Sequence, residues 1–393
     1  MMNVLIVGAC DSTRSVMSPL VPHVPFTPVI LMMSSLIRMT GVFFQEFSMK
    51  LAAQGRLSPR FIMRLLPASL LLASAAHAEV VPEQFSEAAL VKAPETVSCT
   101  LENGTKTQCT KIVVKHKPDD LKTGPFCPPA LDDEGGIWDW DGSNPGLYRL
   151  DRSFFEMLDT LGFHFHDEDE RLHIMTDLSK KPVEANNCLN VSPDESVEMT
   201  ILLPLEPVEA EEPISLGTVA KVGLALDGVP IFADAPSVLD TGNLPALDTC
   251  GGHVDPGGWY HWHATATDID SIYSEEGVDA HCQLPQRHSA QFAYAFDGYA
   301  MFGTQDPSGK TPTDLDSCNG HFGPTQRHPE GEYHYHATSE FPNLPKCLTG
   351  VVAKDNFVTN AKMGIGSPHK SGQGPGPGQE RPGQKRADQK ERE

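Results

Sequence analysis

The chain has 393 residues, of which 30 are basic and 52 acidic, so its formal net charge at pH 7 is −22. Hydrophobic residues make up 39% and charged residues 21%, a composition of soluble globular proteins that excludes both a membrane protein and a wholly disordered chain. An acidic surface repels polyanions and attracts cations, which argues against a nucleic-acid partner.

The segment 60–78 reads RFIMRLLPASLLLASAAHA. Basic residues precede an apolar run that closes on the small residues Ala76 and Ala78, the pattern of a secretory signal. The run is short and contains Pro67, so it does not predict a permanent membrane span. We expect residues 49–78 to be a signal peptide cleaved after Ala78, and the mature protein to be secreted or periplasmic.

Residues 1–48 precede a signal that should itself be N-terminal. A misassigned start explains them, with Met49 or Met63 as the true first residue, and an extended leader is the alternative. Removal of residues 1–78 takes away six basic and two acidic residues and leaves a net charge of −26.

Eight cysteines remain after that cleavage, and an even set in an oxidising compartment predicts four disulfides. Residues 79–120 predict an N-terminal β-hairpin segment, because two short β-like runs flank Asn103-Gly104, a dipeptide typical of two-residue hairpin turns. This hairpin would place Cys99 and Cys109 on facing strands.

Residues 121–200 mix Gly/Pro-rich loops with a few regular elements. The stretch RSFFEMLDTLGF has apolar spacing and a closing Gly162 that predict one short helix. The stretch FHFHDEDERLHIMT predicts a hairpin with a solvated acidic tip. At the other end of the chain, residues 364–393 are rich in Pro, Gly, Gln and charge, and we expect them to form a disordered tail.

An internal repeat occupies residues 222–282 and 292–347. The first copy reads VGLALDGVPIF, then LDTCGGHVDPGGWYHWHAT; the second reads FAYAFDGYAMF, then LDSCNGHFGPTQRHPEGEYHYHAT. Each copy opens on a hairpin signal around Asp-Gly and closes on a Tyr-His-x-His strand. The sequence therefore predicts a mainly β, disulfide-stapled fold with two pseudo-symmetric β-rich repeats and Gly/Pro-rich loops, with an α+β arrangement as the alternative.

The repeat also suggests how the remaining cysteines pair. Matching positions favour one disulfide inside each copy, and a bridge between the copies, Cys250 to Cys318, is the competing arrangement. The predicted pairs are Cys250 with Cys282, Cys318 with Cys347 and, by elimination, Cys127 with Cys188.

Side chains on a strand alternate between its two faces, so His261 and His263 share one face while Tyr260 and Trp262 share the other. The second copy repeats this pattern. Two imidazoles two residues apart on a rigid strand can converge on one metal ion while the aromatic face packs into the core. A third histidine follows each Cys in CGGH and CNGH, where a disulfide would fix the loop.

Three neutral imidazoles leave a coordination position open for water or substrate. Imidazole suits both copper and zinc, and we rank copper first because Cu(II) is bound most strongly among the divalent ions. Whether the chain has two three-histidine sites or one shared site is left open. The candidate metal ligands are His253, His261, His263, His321, His334 and His336.

Four carboxylates lie close to these histidines in sequence. Asp248 and Asp316 recur in both copies, where they either cap the Gly-rich loop or orient an imidazole. Asp255 and Glu332 do not recur, and they are either solvated loop carboxylates or acid/base groups.

Three stretches carry a resemblance to a known family: GPFCPP, GLALDGVPIF and LDSCNGHFGPT with the following GEYHYHATSEF. Together they make residues 121–350 similar to the YHYH domain family, whose name matches Tyr333 to His336. The first copy departs from the motif because it has Trp262 where the second has Tyr335. The resemblance implies a domain assignment and an exported context but no reaction.

The function that these observations favour is an exported protein that binds copper or zinc. The alternative is a secreted carbohydrate- or surface-binding structural domain, in which Trp259, Trp262 and the tyrosines form a recognition face, or in which histidines and tyrosines form a buried network. The sequence assigns no reaction.

Overall fold

The computed structural model describes residues 79–368. The predicted signal peptide at 49–78, the segment 1–48 before it and the end of the predicted tail at 369–393 lie outside this part of the chain. The described residues are mainly β, which confirms the predicted fold class.

The strands fall into three groups along the chain. Those before the repeats are β1 (Glu95–Thr100), β2 (Lys106–Lys115), β3 (Ile137–Trp140), β4 (Gly146–Arg149), β5 (Ile174–Met175), β6 (Asn187–Leu189), β7 (Glu198–Pro204) and β8 (Glu209–Ser215). Those of the first repeat are β9 (Lys221–Ala225), β10 (Pro230–Phe232), β11 (Asn243–Leu244), β12 (Gly252–Val254) and β13 (Tyr260–Trp262). Those of the second repeat and beyond are β14 (Gln291–Ala295), β15 (Ala300–Phe302), β16 (Gly320–Gly323), β17 (Glu332–His336), β18 (Cys347–Gly350) and β19 (Phe357–Thr359).

Three α-helices are described, where the sequence predicted one: α1 (Arg152–Thr160), α2 (Val238–Thr241) and α3 (Ile269–Glu276), besides a 3-10 turn at Pro82–Gln84. The predicted helix α1 starts at an Asp151 cap, whose carboxylate accepts the backbone N–H of Phe154 at 3.0 Å. The helices α2 and α3 were missed because each is too short to establish a period. Both end on a left-handed glycine, Gly242 and Gly277.

A four-stranded antiparallel sheet in the order β1-β2-β7-β19 joins the N-terminal segment to the end of the described chain. Its first two strands form the expected hairpin, with Asn103-Gly104 in the turn and a disulfide between Cys99 and Cys109. Residues 364–368, at the start of the predicted tail, are described: Thr359 donates its N–H to the carbonyl of Gly366 at 2.8 Å, and Ile365 packs against the core.

An eight-stranded sheet in the order β12-β13-β10-β9-β14-β15-β17-β16 contains both repeats. Each repeat supplies four strands in the same relative order, and in each the hairpin strand pairs in parallel with the histidine strand, β10 with β13 and β15 with β17. At the centre, Leu224 of β9 lies opposite Tyr294 of β14, its equivalent in the other repeat. A pseudo-two-fold axis therefore passes between these residues.

All four predicted disulfides form: Cys250–Cys282 and Cys318–Cys347, which the repeat suggested, Cys99–Cys109 in the hairpin, and Cys127–Cys188. The competing bridge between the copies is thus wrong. Each repeat contains one internal disulfide that fixes its Gly-rich loop.

Segments outside the repeats pack on both repeats: β8 pairs with β18 of the second, and two segments are hydrogen-bonded to the first. Ile137 donates to the carbonyl of Leu247 at 2.8 Å, and Tyr260 donates its backbone N–H to the carbonyl of His116 at 2.7 Å. Within residues 79–368, no helix is long and apolar enough to cross a membrane.

Two candidate metal centres

The first cluster of histidines is built on the hairpin of β12 and β13. His253 lies directly opposite His261 in the antiparallel pair, and His263 follows the end of β13 on the same face. The Nε2 atom of His263 lies 2.9 Å from that of His261 and 3.2 Å from that of His253. We call these three residues the first triad.

The second cluster has the same construction on β16 and β17. His321 lies opposite His334, and the Nε2 atoms of His334 and His336 are 3.0 Å apart. The ring of His321 is centred 4.8 Å from that of His334 and 5.1 Å from that of His336. We call these three residues the second triad.

In each triad, one ligand atom per residue lies within 4.8 Å of the other two, a separation that allows a shared metal ion. The histidine strands β13 and β17 are separated by four strands of the sheet. At about 4.8 Å per strand, the two triads are roughly 24 Å apart. The geometry therefore gives two separate clusters and no shared one.

Hydrogen bonds fix the tautomers of the second triad. His334 donates from Nδ1 to the carbonyl of Glu332 at 3.0 Å, and His336 donates from Nδ1 to the carbonyl of Gly303 at 2.6 Å. A carbonyl oxygen can only accept, so both Nδ1 atoms carry the proton and both Nε2 atoms present lone pairs. These two lone pairs face each other at 3.0 Å with no hydrogen between them.

The third member of the second triad has a carboxylate partner. The Nδ1 atom of His321 lies 2.9 Å from Oδ1 of Asp314, and its buried Nε2 atom has no hydrogen-bond partner among the described residues. A carboxylate on the far nitrogen of an imidazole fixes the ring and increases its basicity as a metal ligand. All three Nε2 atoms of the second triad are thus free to bind a cation.

The first triad shows the same arrangement with backbone acceptors only. His263 donates from Nδ1 to the carbonyl of Ala233 at 2.8 Å, and His253 to that of Pro245 at 3.2 Å. The Nδ1 atom of His261 is buried without a partner among residues 79–368.

Burial disfavours the charged form of five of the six imidazoles. Loss of solvent lowers the pKa of His263 and of His334 to about 4 each, and lowers the pKa of His336 as well. Burial, together with the neighbouring imidazoles, holds the pKa of His253 and of His261 well below the usual range. At neutral pH neither His334 nor His336 is therefore an imidazolium that could place a proton between the two facing nitrogens.

The opposite faces of the histidine strands are buried, as the alternation predicted. On these faces Tyr260, Trp262 and Tyr335 expose 1%, 4% and 0% of their surface, and Trp259, which lies on the triad face beside His261, exposes 0%. The recognition face required by the carbohydrate-binding alternative is therefore absent from the described structure.

Asp248 and Asp316 cap their loops and do not contact the imidazoles. Oδ1 of Asp316 accepts the N–H groups of Cys318 and Gly320 at 2.8 and 3.0 Å, and its Oδ2 accepts the hydroxyl of Tyr333 at 2.7 Å. Asp248 makes the equivalent bonds, including one from the Tyr260 hydroxyl at 2.8 Å. Burial raises the pKa of Asp248 to about 6.

The two carboxylates without a counterpart have different roles. Asp255 accepts the N–H of Gly257 at 2.6 Å within its own loop, and burial raises its pKa to about 7. Glu332 lies on the triad face of β17 and accepts the hydroxyl of Thr325 at 2.6 Å. Asp314 was missed because its equivalent in the first repeat is Ala246, so no recurrence drew attention to it.

The fold and these clusters define a mainly β, disulfide-stapled protein with one histidine triad in each of two repeats. A family model described as YHYH protein matches residues 200–311 and 304–350. The resemblance of this part of the chain to the YHYH domain family is therefore confirmed. Comparisons with curated proteins and with solved structures found no match.

Proposed function

We propose that this is an exported metal-binding protein in which each histidine triad binds one copper or zinc ion. The observation that carries the proposal is the pair of Nε2 lone pairs on His334 and His336, which face each other at 3.0 Å while both Nδ1 protons are committed to carbonyls. Such a pair is repulsive unless a cation lies between the nitrogens.

The dimensions and chemistry of the triads support this reading. Two nitrogens that bind one tetrahedral ion at 2.0–2.1 Å are about 3.3 Å apart, close to the separations in both triads. The cysteines beside the triads are oxidised to disulfides and supply no thiolate ligand, so the imidazoles are the donors there that suit copper and zinc. Copper(II) should bind more tightly than zinc, because imidazole sites follow the general affinity order of divalent metals.

Export is the second part of the proposal. Its support is the signal-like segment 60–78 and the set of four disulfides, which persist in oxidising compartments. The acidic surface would favour the approach of a cation at low ionic strength.

Equilibrium dialysis of the purified protein against copper(II) and zinc(II), followed by elemental analysis, tests the metal assignment. We expect one ion per triad for either metal alone, and replacement of zinc by copper when both are present. A protein that stays metal-free after dialysis would favour the remaining alternative, in which the histidines are members of a buried structural network.

A further inference from the structure

The two triads have the same ligands but different surroundings. In the first repeat, residues 244–250 and 257–263, which form the loops and strand around the triad, are all buried. In the second repeat, four of the seven equivalent residues in 312–318 are exposed, and so are most residues of the longer loop 324–330, whereas the strand residues 332–336 are buried or half-buried, as in the first repeat. The asymmetry is a property of the covering segments, because the sheet beneath both triads is the same.

Aromatic rings and segments outside the repeat enclose the first triad. The ring of His261 lies 4.8 Å from that of Trp259 and 5.3 Å from that of Phe232. Phe357, which belongs to β19, packs against Trp259 at 5.0 Å. On the adjacent loop, Asp194 donates its N–H to the carbonyl of Gly258 at 2.8 Å.

The second triad keeps the equivalent of Phe232, since the ring of Phe302 lies 5.0 Å from that of His334, but it has a polar or absent side chain where the first triad has Trp259 and Asp255. Glu332 occupies the position of Trp259, and Gly323, which lies opposite Glu332 in the sheet, occupies that of Asp255. The Glu332 carboxylate accepts the Thr325 hydroxyl at 2.6 Å and lies 3.7 Å from Nε2 of His328. One side of the second triad is therefore lined by polar groups that can form hydrogen bonds.

Gly323 lies against the imidazoles themselves. A Cβ atom at this position would be 2.9 Å from Nε2 of His321 and 3.5 Å from Cε1 of His334. Because Gly323 has no side chain, that side of the triad is clear, and it adjoins Nε2 of His321, which has no hydrogen-bond partner among residues 79–368. Asp314, the hydrogen-bond partner of Nδ1 of His321, has 71% of its side chain exposed. The Nδ1 atom of His253 is instead hydrogen-bonded to the carbonyl of Pro245, which lies in a buried loop.

We propose that the second triad is an accessible centre with a fourth coordination position for water or another small neutral oxygen or nitrogen donor, and that the first triad is closed and retains its ion. This inference rests on the proposed function. Gly323 leaves room for the added ligand, and the Glu332–Thr325 pair supplies hydrogen-bonding partners for it. A three-histidine ion with an open position binds solvent readily.

The test uses the full chain in two variants, each of which keeps one triad. His261→Ala/His263→Ala keeps the second triad, and His334→Ala/His336→Ala keeps the first. After loading with copper(II), each sample is analysed for metal and its water-proton relaxation is recorded; EDTA is then added and copper release is followed. Release from a closed site requires local opening, so we expect release from the second triad to be at least about tenfold faster. Relaxation enhancement should be larger for the second triad.

Equal release rates, equal relaxation, or faster release from the first triad would overturn the inference. If the variants and the wild-type protein contain no copper before EDTA is added, the metal assignment itself is overturned. The two failures are therefore distinguishable. If a double variant fails to fold, wild-type protein loaded at both triads gives the same answer. Its release should be biphasic, with the fast phase lost in His321→Ala and the slow phase lost in His253→Ala; a single phase would contradict the inference.

Discussion

At the scale of single residues, the two nitrogens of each imidazole have different roles in the triads. Nδ1 is committed to a carbonyl or a carboxylate in five of the six histidines, which leaves Nε2 for a ligand. The sequence predicted all six rings from their recurrence. It could not predict the acceptors at Ala233 and Gly303, because a carbonyl has no side-chain signature and these residues directly follow β10 and β15, which are distant from the histidines in sequence.

Gly323→Ala tests whether the second triad needs a bare backbone beside it. The added Cβ would lie 2.9 Å from Nε2 of His321, so the ring must shift and the second triad should lose its ion while the first keeps it. Metal analysis after dialysis measures this. The control is Gly217→Ala, where a Cβ meets nothing within 4 Å. Full metal content in Gly323→Ala would show that the triad tolerates the displacement.

Tyr335→Phe tests whether the aromatic face of β17 affects metal binding at its imidazole face. The hydroxyl of Tyr335 donates to Oδ2 of the buried Asp297 at 2.6 Å, so its loss should lower the free energy of unfolding by about 1–3 kcal/mol without changing metal content. Denaturant unfolding and metal analysis check both parts. Tyr148→Phe, whose hydroxyl reaches the exposed carbonyl of Asn144, should cost much less. Loss of metal in Tyr335→Phe would mean that the two faces are coupled.

At the scale of elements, the unit of the site is a short hairpin whose loop is pinned by a disulfide. The hairpins β9–β10 and β14–β15 could be predicted from alternation and Asp-Gly turns, and the histidine strands from Tyr-His-x-His. The parallel pairing of β10 with β13 and of β15 with β17 could not, because it joins residues far apart in sequence and only packing selects it.

Removal of the Cys318–Cys347 disulfide should weaken the second triad specifically. The bridge closes a separation of 29 residues and holds the loop that presents His321. Cys318→Ala/Cys347→Ala should lower the free energy of unfolding by about 3–4 kcal/mol. It should also weaken metal binding at the second triad, measured by titration under native conditions. Cys99→Ala/Cys109→Ala, far from both triads in the fold, should leave metal binding unchanged, and an equal loss in both variants would argue for a general effect of stability.

At the scale of the whole molecule, the two repeats form a nearly symmetric sheet, but the segments that cover the two triads differ. The symmetry was visible in the sequence as a repeat, and the fold class followed from it. The asymmetry was not visible, because it arises where segments outside the repeats meet the first repeat, as at Asp194 with Gly258. Contacts of this kind follow from tertiary packing and have no local pattern.

Processing of the exported protein is a prediction at this scale. Cleavage after Ala78 would leave Val80 in place, and Val80 is fully buried with its N–H bonded to the carbonyl of Leu205 at 3.2 Å. Mass spectrometry of the exported protein should therefore find Glu79 as the first residue. An intact Met1 on that protein would refute the assignment of the signal.

The most direct test of the central claim is the metal content of the two double variants measured side by side. Losing two of three ligands leaves too few donors to bind an ion, so His334→Ala/His336→Ala and His261→Ala/His263→Ala should each lose the ion of one triad and keep that of the other. Elemental analysis of each variant after dialysis, against wild type, should therefore show half the wild-type copper in both. Wild-type copper content in the His334→Ala/His336→Ala variant would contradict the account.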